Sequence, residues 1–259
     1  MTALLEVVGL NKTFGAIVAA SDISVAVADG EKIGIIGANG AGKTTFVNMV
    51  TGYLKPSSGT IAFLGRDITQ LPPRAIIAAG ISRSFQVPQV FASQSVADNL
   101  LIACGVAEGG ALPLWRSLHL EARADAVAAL LARFGIASYR DQPAGLLPQG
   151  VRKLLDIAMA TVRAPRLLLL DEPTSGVSAE EKFAIMDVVM GATVSAARAV
   201  MFIEHDLDII ARYATRVLAF ADGTIVAQGA PAAVIGDAQV KRYILGEAPS
   251  PRRAAAASP

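Results

Sequence analysis

The stretch Gly37-Ala38-Asn39-Gly40-Ala41-Gly42-Lys43-Thr44 satisfies G-x-x-x-x-G-K-[ST] at every fixed position. Triphosphate chemistry explains the spacing. Glycines at 37, 40 and 42 let the backbone turn tightly and bring its N–H groups onto phosphate oxygens. Lys43 supplies a point charge for the β- and γ-phosphates, and the Thr44 hydroxyl can reach Mg²⁺. A second acidic element suits the same substrate. Leu167-Leu168-Leu169-Leu170 has the continuous apolar character of a strand buried on both faces, and it runs into Asp171-Glu172. Asp171 can hold Mg²⁺, directly or through water, and Glu172 can polarise an attacking water. A lysine, a metal, a base and a sensor of the terminal phosphate suffice for phosphoryl transfer. The pattern is therefore that of a nucleotide hydrolase.

These residues need a scaffold. Glu31 to Ile36 predicts a strand entering the glycine-rich loop. Thr44, Thr45 and the residues to Val50 predict a helix whose positive N-terminal dipole faces the phosphates. Ahead of them, Leu4–Val8 and Ile23–Val27 predict strands of an antiparallel layer, with a turn over Asn11–Gly15. Thr60–Leu64 and Ile81–Gln86 predict further strands, and Arg74–Ala79 a short helix behind Pro72-Pro73. From Ser95 to about 160 the chain turns helical: Ser95 is placed as an N-cap, and Leu120, Val127, Leu131 and Phe134 share one face. Trp115, with Arg116 and His119 nearby, suits either a partner contact or a loop aromatic tucked against this region. Glu180–Ala197 predicts a helix and Ala199–Ile203 a core strand ending in Glu204-His205. Two strands around Asp222-Gly223 form a hairpin. Parallel strands alternating with helices bring ligands to the strands' C-terminal ends, where the loop, Gln86, Asp171 and His205 all fall. The expected fold is α/β: a P-loop NTPase core with a mainly parallel sheet, an N-terminal antiparallel β layer and an inserted helical subdomain. It forms one domain over 4–247, with the subdomain at about 95–160. Residues 248–259 have the composition of a disordered tail.

Composition limits the alternatives. Apolar residues make up 53% of the 259, enough for a large core. A formal charge of +1 gives no general basic field for nucleic acid. The single cysteine, Cys104, excludes an internal disulfide framework and fits a reducing compartment. No basic n-region followed by a long apolar run marks a signal peptide. No apolar stretch reaches the roughly 18 residues needed to span a bilayer.

With these residues assembled, the chain resembles the ATP-binding subunit of ABC transporters, from about Leu4 to Glu247. The resemblance implies that Phe14 stacks on adenine. It implies that Gln86 contacts Mg²⁺ and the attacking water and couples to membrane subunits, and that His205 senses the γ-phosphate. Pro173 to Ser178 falls where the family has its dimer-contact loop, with Ser178 in place of the usual Asp. Arg83-Ser84-Phe85-Gln86 with Val90-Phe91, then Ser95 to Leu100, and the ending Tyr243 to Glu247, are similar to the larger ATPase of importers for branched-chain and other hydrophobic amino acids. The implied partners are a second ATPase subunit, two permease subunits and, indirectly, a periplasmic solute-binding protein. The implied place is peripheral, on the cytoplasmic face of the inner membrane.

One departure stands out. The family's signature loop is usually Leu-Ser-Gly-Gly-Gln; here the segment is Leu147-Pro148-Gln149-Gly150-Val151. In a family dimer this loop reaches the partner's γ-phosphate. Pro148 offers neither the hydroxyl nor the N–H of the usual serine, while Gly150 still permits close approach. This loop serves the partner's nucleotide, so the expectation is an asymmetric heterodimer in which the site built on this chain's own P-loop does most of the hydrolysis. The contrary expectation is that Gln149 replaces the serine. Two other classes compete with an importer ATPase: a soluble ABC-type ATPase acting on nucleic acid or ribosomes, and a nucleotide sensor with weak turnover.

Overall fold

A computed structural model describes residues 3–108, 121–194 and 197–245. In chain order its elements are β1 (Leu5–Phe14), β2 (Ile17–Val27), β3 (Lys32–Gly37), α1 (Lys43–Val50), β4 (Ser58–Phe63), β5 (Arg66–Asp67), α2 (Pro73–Ala79), β6 (Ile81–Arg83), α3 (Val96–Ala107), α4 (Glu121–Arg133), α5 (Gln149–Thr161), β7 (Leu167–Asp171), α6 (Lys182–Val194), β8 (Ala199–Ile203), α7 (Leu207–Tyr213), β9 (Arg216–Ala221), β10 (Thr224–Gly229), α8 (Pro231–Gly236) and α9 (Ala238–Leu245). Trp115, Arg116, His119 and the 248–259 tail lie outside the described residues. The chain divides into two compact units, Met1–Ile81 with Ala199–Pro259, and Ser82–Arg198.

The first unit carries the antiparallel layer, in the order β2-β1-β4-β5, and a second group in the order β10-β9-β3-β8. β3 runs parallel to both β8 and β9. That double flanking explains why Ile33 to Gly37 are all buried, since a central parallel strand meets side chains on both faces. Phe46 of α1 stacks at a tilt on Phe220 of β9, ring centroids 5.5 Å apart. β1 and β2 are longer than their apolar patterns suggest. The expected turn over Asn11–Gly15 is strand as far as Phe14, which faces Ile17. Register shifts absorb the polar stretch. Asn11 satisfies it locally, accepting from the Asp22 N–H at 2.9 Å and donating to the Gly9 carbonyl at 2.7 Å. At the β9–β10 turn Asp222 and Gly223 both have positive φ, 42° and 77°, as a two-residue hairpin of the primed type requires.

The second unit holds β6 beside β7 and the helices α3 to α6. Ser95 caps α3 as expected, accepting from the Asp98 N–H at 3.0 Å. Asn99 is fully buried and ties the preceding loop to α3 through the N–H and carbonyl of Phe91 and the carbonyl of Ser95. Cys104, also on α3, is buried. All five residues of β7 are buried. The strand expected over Ile81–Gln86 stops at Arg83. Ser84 still donates to the Leu169 carbonyl at 2.9 Å, but the Phe85 N–H turns to the Asp156 carboxylate at 3.1 Å. A side-chain acceptor displaces the ladder there, and Gln86 sits on a loop beyond the strand.

Gly59 is the backbone position most sensitive to change in the antiparallel layer. Its φ is +90°, and a Cβ on it would lie 2.3 Å from the Gly9 carbonyl oxygen. Gly59→Ala should cost at least about 1–3 kcal/mol from backbone strain alone, read as a lowered urea midpoint with an unchanged slope.

Candidate nucleotide site

In the first unit, β3 delivers Gly37 into the glycine-rich loop. Gly37 has φ +151°, and a Cβ there would meet the Phe220 carbonyl oxygen at 2.4 Å; one on Gly42, at φ +99°, would meet the Ala19 carbonyl oxygen at 2.9 Å. The loop is pressed between β9 and β2, and no larger residue fits. The Gly223 N–H donates to the Ala41 carbonyl at 3.0 Å and fixes the loop from the hairpin turn. Nothing lies within 4 Å of the corresponding point on Gly40, so the loop keeps one open face. α1 starts at Lys43 with no capping side chain and no acidic residue in its first turn. Its N-terminus therefore favours an anion. Lys43 is 6% exposed, and its ammonium donates to the Gly37 carbonyl at 2.6 Å and the Ala38 carbonyl at 3.0 Å. The cation thus lies across the loop it serves. Thr44 is exposed and Thr45 half-buried. An anion cradle, a fixed cation and an open face fit a nucleotide's phosphates.

Phe14 closes β1 and is 50% exposed, and the Lys12 ammonium lies 5.0 Å from its ring centroid. It faces Ile17, on the strand whose Ala19 backs Gly42. An exposed aromatic at that point suits stacking on a base. His205 follows β8, is exposed, and donates its backbone N–H to the buried Glu204 carboxylate at 3.3 Å.

In the second unit, Asp171 ends β7 and Glu172 follows with φ +48°, a left-handed conformation that non-glycine residues seldom adopt. The Gln86 carboxamide donates to the Glu172 carboxylate at 2.8 Å. Sequence reasoning assigned both residues to one reaction, and the fold brings their side chains together. Asp171 pairs with Arg83 at 2.5 Å, each side chain 7% exposed. Of the residues expected to hold Mg²⁺, Thr44 lies in the first unit and Gln86 and Asp171 in the second; a hydroxyl, an amide oxygen and a carboxylate are each hard donors of the kind Mg²⁺ takes. Among the described residues no group of three or more His, Cys, Asp and Glu forms a metal cluster.

Pro148 is the residue ahead of α5 and makes no side-chain capping bond. The Gln149 side chain lies against Gly176, in contact with where a Cβ would stand. A Cβ on Gly150 would strike Ile185 of α6 at 2.6 Å, so this glycine also lets α5 and α6 pack closely. Pro148, Gln149, Gly150, Gly176 and Ile185 line a cleft of about 330 Å³.

Sequence reasoning missed Arg83, Lys153 and Asp156 as working residues. The signal available was two ionisable residues, Lys153 and Asp156, on the buried face of an otherwise apolar helix. Burial pushes the Asp156 carboxyl above its ordinary range. The N–H groups of Gln89 and Phe85 and the nearby Lys153 charge draw it back down.

This fold and site define a nucleotide-binding cassette. Residues 20–175 match the model of the ABC transporter family. The chain is 33% identical over 252 residues to the high-affinity branched-chain amino acid transport ATP-binding protein LivG of Salmonella typhimurium, covering 95% of this chain and 98% of that one. It is 30% identical to BraF, of the same description, from Pseudomonas aeruginosa, over 95% and 98% of the two chains. It superposes on the ADP conformation of MJ1267, an ATP-binding cassette of an ABC transporter, with a TM-score of 0.84 and 30% identity over 95% of this chain and all of that one. The chain belongs to the ABC transporter family, as one of its ATP-binding, ATP-hydrolysing subunits. Among the described residues no helix is long and apolar enough to cross a membrane.

The Arg83–Asp171 pair makes a stability prediction. Arg83→Met leaves a buried carboxylate uncompensated and should cost about 3–5 kcal/mol. Adding Asp171→Asn should return part of that loss in the same chemical denaturation series.

Proposed function

We propose that this chain powers an importer for branched-chain or related amino acids. The end-to-end likeness to LivG and BraF carries this reading. Lys43 neutralises the β- and γ-phosphates, backbone N–H groups from Gly37, Ala38, Asn39, Gly40, Ala41 and Gly42 to Thr45 hold them, and Phe14 stacks on the adenine. Glu172 polarises the attacking water, Gln86 orients it, and His205 meets the γ-phosphate. Thr44, Gln86 and Asp171 would be the residues to hold Mg²⁺, which would supply the charge neutralisation that phosphoryl transfer needs. The chain works peripherally at the cytoplasmic face of the membrane, beside a second ATPase and two permease subunits, with a solute-binding protein upstream.

Pro148 makes the pair of ATPases unequal. The partner's nucleotide receives a loop without the serine donor, while this chain's own nucleotide receives the partner's loop. Gln149 leans on Gly176 of its own unit, which supports a heterodimer over a serine replacement by Gln149.

Glu172→Gln should abolish steady-state phosphate release, by about 10²-fold or more, while Mg-ATP still raises the melting temperature. Stabilisation without phosphate release in the unaltered complex would favour a nucleotide sensor. In the reconstituted complex Glu172→Gln should cost more hydrolysis than the same change in the partner ATPase, and equal losses would end the asymmetric reading. Phe14→Ala should weaken ATP binding by about 0.5–1.5 kcal/mol beyond lost burial, with turnover at saturation retained.

A further inference from the structure

We infer that Lys153 is a positioning residue that holds Gln86 and Glu172 in register for hydrolysis. The inference rests on the reading of those two residues given above. Lys153 lies on the first turns of α5, 1% exposed. Its ammonium donates to the Gln86 carbonyl and, at 3.0 Å, to the Glu172 carbonyl. The side chains of those same two residues meet at 2.8 Å. The result is a closed ring: one cation grips both main chains, and the side chains complete the circuit.

Two further features give the ring a purpose. Glu172 has a φ of +48°, a conformation that persists only where neighbours enforce it. The Lys153 bond to its carbonyl is such a restraint. One turn further along α5, Asp156 accepts from the N–H groups of Phe85 at 3.1 Å and Gln89 at 2.9 Å, on either side of Gln86. A cation to carbonyls and an anion to N–H groups, three residues apart on one helix, fix the loop in place and direction. α5 begins at the Pro148–Gly150 loop. A shift of that loop is therefore delivered through a rigid helix to the carboxylate that activates water.

The test uses the assembled transporter. Lys153→Met should lower kcat for ATP hydrolysis by about 10–100-fold, with the KM for ATP and the ATP-induced thermal shift unchanged. Lys153→Arg, which keeps the charge and the donors, should recover part of that loss. Wild-type kcat in Lys153→Met would overturn the inference. So would equal losses of kcat and melting temperature in the Met and Arg variants, the mark of a merely structural residue. If Lys153→Met does not fold, Asp156→Asn decides: a lower kcat at unchanged ATP affinity supports the positioning role, and a wild-type kcat overturns it. Glu172→Gln separates the two levels. Normal turnover in that variant would remove the site reading and the inference together, whereas its loss beside a normal Lys153→Met removes the inference alone.

Discussion

A triphosphate brings several negative charges into a small volume, and the protein answers with few charges of its own. In the first unit the answer is a backbone loop, a helix start and one buried lysine. That economy works only where the main chain comes within hydrogen-bonding distance of the ligand, so no side chain can intervene. The surrounding structure serves this condition. β3 is flanked by two parallel strands and cannot shift. The loop it feeds is wedged beneath the Phe220 carbonyl on one side and the Ala19 carbonyl on the other. The hairpin turn at Gly223 adds a bond to the Ala41 carbonyl. Rigid packing thus does part of the work that charge would otherwise do.

The second unit sets two adjacent acids in different surroundings, Asp171 buried and Glu172 half-exposed. Asp171 is met by Arg83. The Glu172 carboxylate accepts from the Gln86 carboxamide, which helps to fix its direction. On α5, Lys153 and Asp156 bond to main-chain atoms of the segments that carry Gln86 and Glu172. An ion pair on one acid and a carboxamide on the next give two adjacent carboxylates different environments.

Much of this was legible in the sequence. The glycine-rich loop, the leucine run into Asp171-Glu172, the Ser95 cap and the Asp222-Gly223 turn each have a local signature, because the chemistry that fixes them spans only a few residues. What escaped was set by partners far along the chain. The strand from Ile81 was expected to run to Gln86, yet an acceptor 71 residues beyond Phe85 took that residue's N–H. The polar run Asn11-Lys12-Thr13 looked like a turn, yet Asn11 paid its own hydrogen-bonding needs inside a strand. Lys153 and Asp156 broke a hydrophobic face, but one sequence does not say which carbonyl a buried ammonium will find. Gly150 was read as an opening toward phosphate, and its place over Ile185 shows that packing asks for glycine there as well.

The lone thiol has a practical consequence. Cys104 is buried on α3, and its pKa is raised by burial first and by the Glu108 charge second, against a smaller pull from Arg123. The thiolate is the form that alkylating reagents attack, so this sulfur is a poor target in the folded chain. A cysteine introduced on any exposed loop can therefore carry a fluorophore or spin label without first deleting the native one. The protein comes ready for distance measurements during turnover.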